Sequence, residues 1–414
     1  MRLFTQYKGL RRENYILFLG KMVTNLGAMV WPILTMILNQ KLGMSATETA
    51  TFSIVTGFFF LPASLIGGYL ADRFNKKMVI ICCDIISVAL YIVSGMIPLT
   101  LFTMCLVMAG AFFQTLENPA YNAIVAEVTP QEKREKAFSL LYLGKNIGLI
   151  LAPTIAGFLF KNHLSLCFII NGLAISLSTV LITLFVKDTS VLGKKEQHKA
   201  MDKKVCDQSI MSVLRGSAAL LLFIISMSFH EGAYSQFGYL MPLDISKAYP
   251  ETGSVIYGTV ASVNCIIVVV FTPFITMLLE KVSLSKKFAL GTFFQALSFV
   301  AFLLSFGVIA GYYVSITLFT IGEILTATVH GAFLSGKVPM ELRGRLYGIS
   351  DFISAVMVGI VKYYSGQLFD TLGLKYAWAF SIAITLIAVI VAFFVVIADK
   401  REESPSEEGE LKVS

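Results

Sequence analysis

The sequence predicts an all-α membrane protein of twelve transmembrane helices arranged as two six-helix halves. Three observations carry this: composition, the number and length of apolar runs, and an internal repeat. Of 414 residues, 56% are hydrophobic and only 14% charged, at a mean hydropathy of +0.76, which is more apolar surface than a soluble core can enclose. Apolar runs long enough to cross the hydrocarbon layer fall at 14–38, 47–71, 78–97, 99–126, 138–160, 165–186, 216–240, 253–279, 288–306, 308–334, 346–369 and 376–398. After the fourth run comes Pro130-Gln131-Glu132-Lys133-Arg134-Glu135-Lys136, and after the tenth Pro339-Met340-Glu341-Leu342-Arg343-Gly344-Arg345, sharing P-x-E-x-R-x-K/R at an offset of 209. A fainter echo follows the eighth run, where Glu280 with Lys281, Lys286 and Lys287 stands 208 residues after Asp72. Repetition at offsets within one residue of each other marks a duplicated unit.

The first run follows a basic arm and ends without a cleavage-like site, so it is expected to stay as a helix and not to be removed as a signal peptide. An even number of spans places both termini on one side. Of the 33 Lys and Arg residues, 26 lie in the N-terminal arm, alternate loops and the tail; four (Lys41, Lys161, Lys247, Lys375) lie on the other side, and three (Lys21, Lys145, Lys362) fall inside runs. By the positive-inside rule the termini are cytoplasmic and the location is the cell membrane. The same distribution accounts for the net charge of +7 without nucleic acid. Residues 187–215, with seven cations and four acids, read as a solvated cytoplasmic tether between an N-terminal bundle (1–186) and a C-terminal bundle (216–398). Residues 399–414 read as a disordered tail. Five of six cysteines lie in apolar runs and Cys206 in the tether, which suits small packing residues better than a disulfide framework.

Between the second and third runs, Gly67-Gly68-Tyr69-Leu70-Ala71-Asp72-Arg73-Phe74-Asn75-Lys76-Lys77 leaves room only for a tight hairpin. Gly68 and Asp72 are one helical turn apart, which sets a carboxylate at a helix end where a small residue lets another backbone approach. Arg73, Lys76 and Lys77 follow. The stretch resembles the loop between helices 2 and 3 of the major facilitator superfamily, G-x-x-x-D-R-x-G-R/K-R/K. Asn75 stands where that family has its second glycine; asparagine enters the left-handed region more readily than other side chains. The resemblance runs through about residue 398 and implies two six-helix bundles related by a pseudo-twofold axis along the membrane normal. It further implies that Asp72 caps a cytoplasmic gate, pairing with Arg73 or a helix N-terminus in the outward-open state. Gly148-Leu149-Ile150-Leu151-Ala152-Pro153-Thr154-Ile155-Ala156-Gly157 resembles the fifth-helix exporter motif G-x-x-x-G-P-x-x-G-G at Gly148, Pro153 and Gly157, with alanine at the other two positions. An ordinary small-residue packing face is the alternative. Exporters usually carry an arginine early in helix 4; Val107 stands there, so no proton-coupling role transfers to that place.

An ionisable side chain at mid-bilayer costs at least about 2.5–3.5 kcal/mol, so each embedded one is a candidate site. Glu117, with Gln114 and Tyr121 at i−3 and i+4, forms a polar stripe on the fourth helix. Pro119 is expected to break that helix and free a carbonyl toward a cavity. A protonated carboxyl bonding between helices is the other reading of Glu117. Glu323 and His330, seven residues apart, share a face and suit a proton path, although His330 can equally be structural. In His230-Glu231 neighbouring side chains point about 100° apart, and Glu231 is preferred as the site residue over a helix–helix hydrogen bond. Asp84 and Asp351 are expected in structural or gating salt bridges. Lys145 is expected to pair with a carboxylate across the bundle, and Lys362 to snorkel.

No H-E-x-x-H, C-x-x-C, G-x-S-x-G or P-loop pattern occurs, so neither enzyme chemistry nor a metal or other cofactor is expected, and the proton gradient is left as the energy source. The expected function is secondary active transport: export of amphipathic small molecules, cationic ones among them, in exchange for protons by alternating access. The partners are a small-molecule substrate, protons and membrane lipid, with the monomer as functional unit. A proton-coupled importer of a small nutrient or lipid-like metabolite shares every feature except the fifth-helix motif. A non-transporting scaffold or receptor is the rival from another class.

Overall fold

The computed structural model describes residues 7–186, 214–305, 307–338 and 342–410. The tether at 187–213, Cys206 within it, and Pro339, Met340 and Glu341 of the second repeat lie outside these. Among the described residues twelve helical segments are long and apolar enough to cross a membrane: α1 (Arg12–Lys41), α2 (Ala46–Arg73), α3 (Lys76–Met96), α4 (Leu101–Val128), α5 (Gln131–Leu159), α6 (Leu164–Phe185), α7 (Ala218–Ala248), α8 (Gly253–Leu278), α9 (Leu284–Leu304), α10 (Ile309–Leu334), α11 (Leu346–Thr371) and α12 (Leu374–Glu402). Leu65, Leu184 and Leu278 are more than two-thirds exposed, as lipid-facing side chains of such helices are. Cys82, Cys83, Cys105 and Cys167 are free thiols.

Two spans are interrupted at matching places. In α1 the helix Arg12–Gly27 stops, and Val30–Met36 and a wider turn at Ile37–Lys41 continue it; in α7 a tight turn at Ser235–Phe237 separates Ala218–Tyr234 from Leu240–Ala248. Pro119, by contrast, does not break α4, which is continuous through it. A proline removes one backbone donor, and neighbouring helices can absorb that loss.

The helices form two compact units. One holds Met1–Gly43, Phe52–Lys203 and Tyr249–Val269; the other holds Met44–Thr51, Lys204–Ala248 and Val270–Ser414. In the first, α1 packs on α5 and α6 while α3 packs on α4 and α6; in the second, α7 packs on α11 and α12 while α9 packs on α10 and α12. Each pair has its counterpart six helices later, so the repeat seen in the loops extends to the packing. Leu17, Ile80, Ala120 and Ile124 centre the first core. The second is aromatic, with Phe223 stacked on Phe333 at 4.3 Å and tilted on Phe288 at 4.6 Å.

Small residues set the closest approaches. A Cβ at Gly67 would lie 2.0 Å from the Leu116 carbonyl oxygen, whereas Gly68 faces open space; the glycine that admits another backbone is therefore Gly67 and not Gly68. Asn75 has φ −61° and caps α3, its side chain accepting from the Met78 N–H at 3.2 Å. The residue serves as an N-cap there and does not enter the left-handed region. On α5, Gly148 lies against Met22 and Asn25 of α1. Gly157 lies against Ser254 of α8, whose hydroxyl donates to the Gly157 carbonyl at 2.9 Å, and Thr154 meets Ser262 at 2.7 Å. These contacts bring the first part of α8 into the same unit as α5. The start of α2 joins the other unit because Asp370 of α11 accepts from the Ala46 and Thr47 N–H groups at 3.0 and 2.8 Å, and Tyr239 donates to the Ala46 carbonyl.

The last helix does not stop near residue 398 but continues to Glu410, where a disordered tail is expected from composition. Asp399 and Glu402 explain its continuation: Lys337, just past α10, pairs with them at 2.7 and 2.9 Å. Glu402 also accepts from the Ser217 hydroxyl and the Ala219 N–H at the start of α7. Burial by itself would push the Lys337 ammonium down, but its two carboxylate partners outweigh that and hold it above the ordinary lysine range. Its stabilising contribution is therefore complete below the unfolded-state lysine pKa and is lost only as pH rises through the raised one.

Two measurements on detergent-purified protein check these contacts. Gly67→Leu should lower thermal stability by about 1–3 kcal/mol through overpacking against Leu116, while Gly68→Leu leaves the melting temperature near wild type. Lys337→Gln, which strands two carboxylates, should destabilise by about 1–3 kcal/mol at neutral pH.

Candidate functional site

In the first unit four helices bring polar side chains to one buried point. Glu117 on α4 and Asp84 on α3 are 6% and 3% exposed, and their carboxyls lie close enough to act electrostatically on each other. Thr179 of α6 donates to Asp84 Oδ2 at 2.5 Å, and Glu117 Oε2 has no protein partner. Lys21 of α1 donates to Asn118 Oδ1 at 3.0 Å, lies 5.1 Å over the Tyr121 ring, and is close enough to act electrostatically on both carboxyls. The Tyr121 hydroxyl donates to the Leu17 carbonyl at 2.6 Å. Gln114 is half-buried one turn earlier.

The polar stripe on α4 thus faces the bundle interior at Glu117 and Tyr121. Asp84 departs from its expected place in a gating salt bridge, because Asp84, Ser87 and Tyr91 share the buried face of α3, which turns the carboxyl onto α4. Lys21, not singled out as a site residue from sequence, is the counter-charge. Its only signal there is an embedded cation with no acid within a turn on its own helix. Lys145 does not pair with a carboxylate: it is exposed and lines a cavity of about 380 Å³ with Lys21, Asn25, Asn118, Asn122 and Tyr142.

The second unit has its own cluster. His230 is fully buried, its Nδ1 without a partner, and Gln295 donates to its backbone carbonyl at 3.5 Å. Glu231 is half-buried and close enough to Glu323 and Asp351 to interact electrostatically with both. Glu323 accepts from the Tyr234 hydroxyl at 2.7 Å. His330 is stacked on Phe223 and edge-on to Tyr347. Exposed Asp351 acts on His330 and Glu231 and belongs to this cluster, not to a gating salt bridge.

At the hairpin, Asp72 is exposed and makes no ion pair with Arg73, which lies over the Tyr69 ring at 5.1 Å. Lys76 pairs with Glu127 at the end of α4 at 2.9 Å, and Lys77 donates to the Thr183 and Val186 carbonyls at the end of α6, both at 2.8 Å. These cations meet the carbonyl ends of neighbouring helices, as the helix dipole favours. Among the described residues no group of His, Cys, Asp and Glu is arranged to hold a metal ion.

Residues 17–361 match the family model of the Major Facilitator Superfamily. The chain is 22% identical over 385 residues to a Na(+), Li(+), K(+)/H(+) antiporter of Planococcus maritimus, covering 83% of this chain and 88% of that protein. It is 25% identical over 260 residues to the quinolone resistance protein NorA of Staphylococcus aureus, covering 60% and 65%. Among solved structures, a peptide transporter POT in complex with sulfate superposes with a TM-score of 0.75 at 16% identity, covering 95% of each chain. The nucleoside transporter NupG gives 0.71 at 14%, covering 94% of this chain and all of that one. The family and these neighbours are transporters and not enzymes, and with the twelve spans and the paired helix packing they make this chain a member of the Major Facilitator Superfamily.

Proposed function

We propose that the chain is a proton-coupled secondary exporter of amphipathic small molecules, cationic ones among them. It works by alternating access in the cell membrane with both termini in the cytoplasm. The observation that carries this reading is the buried Asp84–Glu117 carboxyl pair with Lys21 beside it. With one proton the pair holds a single negative charge, which the Lys21 ammonium balances. Removing that proton leaves two adjoining carboxylates in a medium where like charges repel strongly, and adding a second frees Lys21 from any counter-charge. Either change alters the forces among α1, α3 and α4, which is how a proton can bias a conformational equilibrium. One proton crossing about 100 mV releases roughly 2.3 kcal/mol, and a unit of pH gradient adds about 1.4 kcal/mol, enough for a gradient of several hundred-fold in a neutral solute.

The relatives support exchange against protons and drug export, since one is named as an alkali cation/proton antiporter and another as a quinolone resistance protein. The Gly148, Pro153 and Gly157 pattern supports the export direction. In this reading Glu231 and Glu323 meet the cationic part of a substrate, while Gly68, Asp72 and Arg73 form the hinge of a cytoplasmic gate.

The test is flux in proteoliposomes of the purified full chain under an imposed pH gradient, following an efflux dye and internal pH together. Wild type should couple the two. Glu117→Gln and Asp84→Asn should each lower proton-driven flux at least about ten-fold, a step that corresponds to about 1.4 kcal/mol, while dye counterflow without a gradient persists. Wild-type coupling in both variants would remove the pair from the mechanism. Uptake of solute into intact cells with unchanged drug resistance would favour the importer.

A further inference from the structure

The cavity that Lys21 and Lys145 share is electrically one-sided. Its polar lining consists of two ammonium groups, the amides of Asn25, Asn118 and Asn122, and the Tyr142 phenol; no acid lines it. Lys21 donates to the neutral Asn118 amide, and the Asp84 and Glu117 carboxyls that act on it do not line the cavity. Lys145 makes no ion pair and is near enough to Lys21 for the two charges to repel. Two like charges facing one space are relieved by an anion between them. Ammonium, amide and hydroxyl donors together suit the several lone pairs of an oxyacid. Phe138 and Leu141 supply an apolar wall, and about 380 Å³ falls within the range of small-molecule sites, roughly 300–1,000 Å³.

We infer that this cavity binds the carboxylate head of an amphipathic solute, held between Lys21 and Lys145 with its apolar body against Phe138 and Leu141. The inference rests on the transport reading in taking that solute to be the transported one, and it adds amphipathic acids and zwitterions to the substrate class. A compound carrying only positive charge finds no counter-charge here.

Binding to the full chain in detergent, measured by equilibrium dialysis, tests this with three probes of matched shape: naphthoate, naphthamide and naphthylmethylamine. Wild type should bind naphthoate at least about ten-fold more tightly than naphthamide, and inorganic sulfate should not displace it at equal concentration. Lys145→Gln should abolish the preference for the acid, whereas Lys281→Gln, in the turn after α8, keeps it. Lys21→Gln removes the counter-charge of two buried carboxyls and risks misfolding; Lys145 is exposed, so its variant reads the site independently. Equal binding of acid and amide by wild type, tighter binding of the amine, displacement by sulfate, or an unchanged preference in Lys145→Gln would each overturn the inference. Loss of flux in proteoliposomes with the acid preference intact would remove the transport reading and leave the site standing. Proton-driven flux without any charge preference would do the reverse.

Discussion

Charge inside a membrane-spanning bundle persists only where another group answers it. In the first unit that condition is met where the buried Asp84 and Glu117 carboxyls adjoin Lys21. The geometry around them follows from it. Tyr121 is fixed to the backbone of α1 and lies under the ammonium; Asn118 accepts from it; Thr179 takes up a lone pair of Asp84. Four helices are tied to each other through groups whose mutual attraction depends on how many protons they hold. Hydrocarbon packing among the same helices supplies cohesion but no such dependence, because apolar contacts do not change with protonation.

The second unit answers its charges differently. Glu323 leans on a tyrosine hydroxyl, His230 is enclosed by aromatic rings and a glutamine, and Glu231 has two acids for neighbours and no cation. Helix packing repeats six helices apart, yet the polar side chains set on it do not. Duplication has preserved the scaffold while the two clusters have acquired different chemistry.

Much of the fold is legible in the residues themselves. Hydropathy marks spans because the bilayer punishes any unpaired backbone group, so run lengths alone locate the twelve helices. Glu117 with Tyr121 is legible for a related reason, since both lie on one helix and helical spacing is known in advance. The grouping of residues 21, 84, 117 and 179 is not legible, because it depends on which faces of four helices meet, and no spacing within a single helix records that. Gly67 and Gly68 illustrate the limit at its finest: one residue is about 100° of helix, and sequence does not say which of two glycines faces Leu116. Asn75 serves both as a helix cap and as a left-handed turn residue in general, and the start of α3 at the very next position selects the cap. Pro119 looks like a break in isolation, but a helix buried on several sides tolerates the missing donor. Composition misreads residues 399–402 for the opposite reason: a charged segment appears unstructured until its partners, supplied by distant parts of the chain, are known.

Glu402 lies one helical turn beyond the last apolar run, which ends at residue 398, yet it joins the beginning of α7 to the region just past α10 through Ser217, Ala219 and Lys337. The boundary of the folded protein is therefore electrostatic and not hydropathic. Shortening the polypeptide to the end of its last apolar run would unfasten three helices at once, so an affinity handle belongs after Glu410, and deletions that remove Glu402 trim the fold itself.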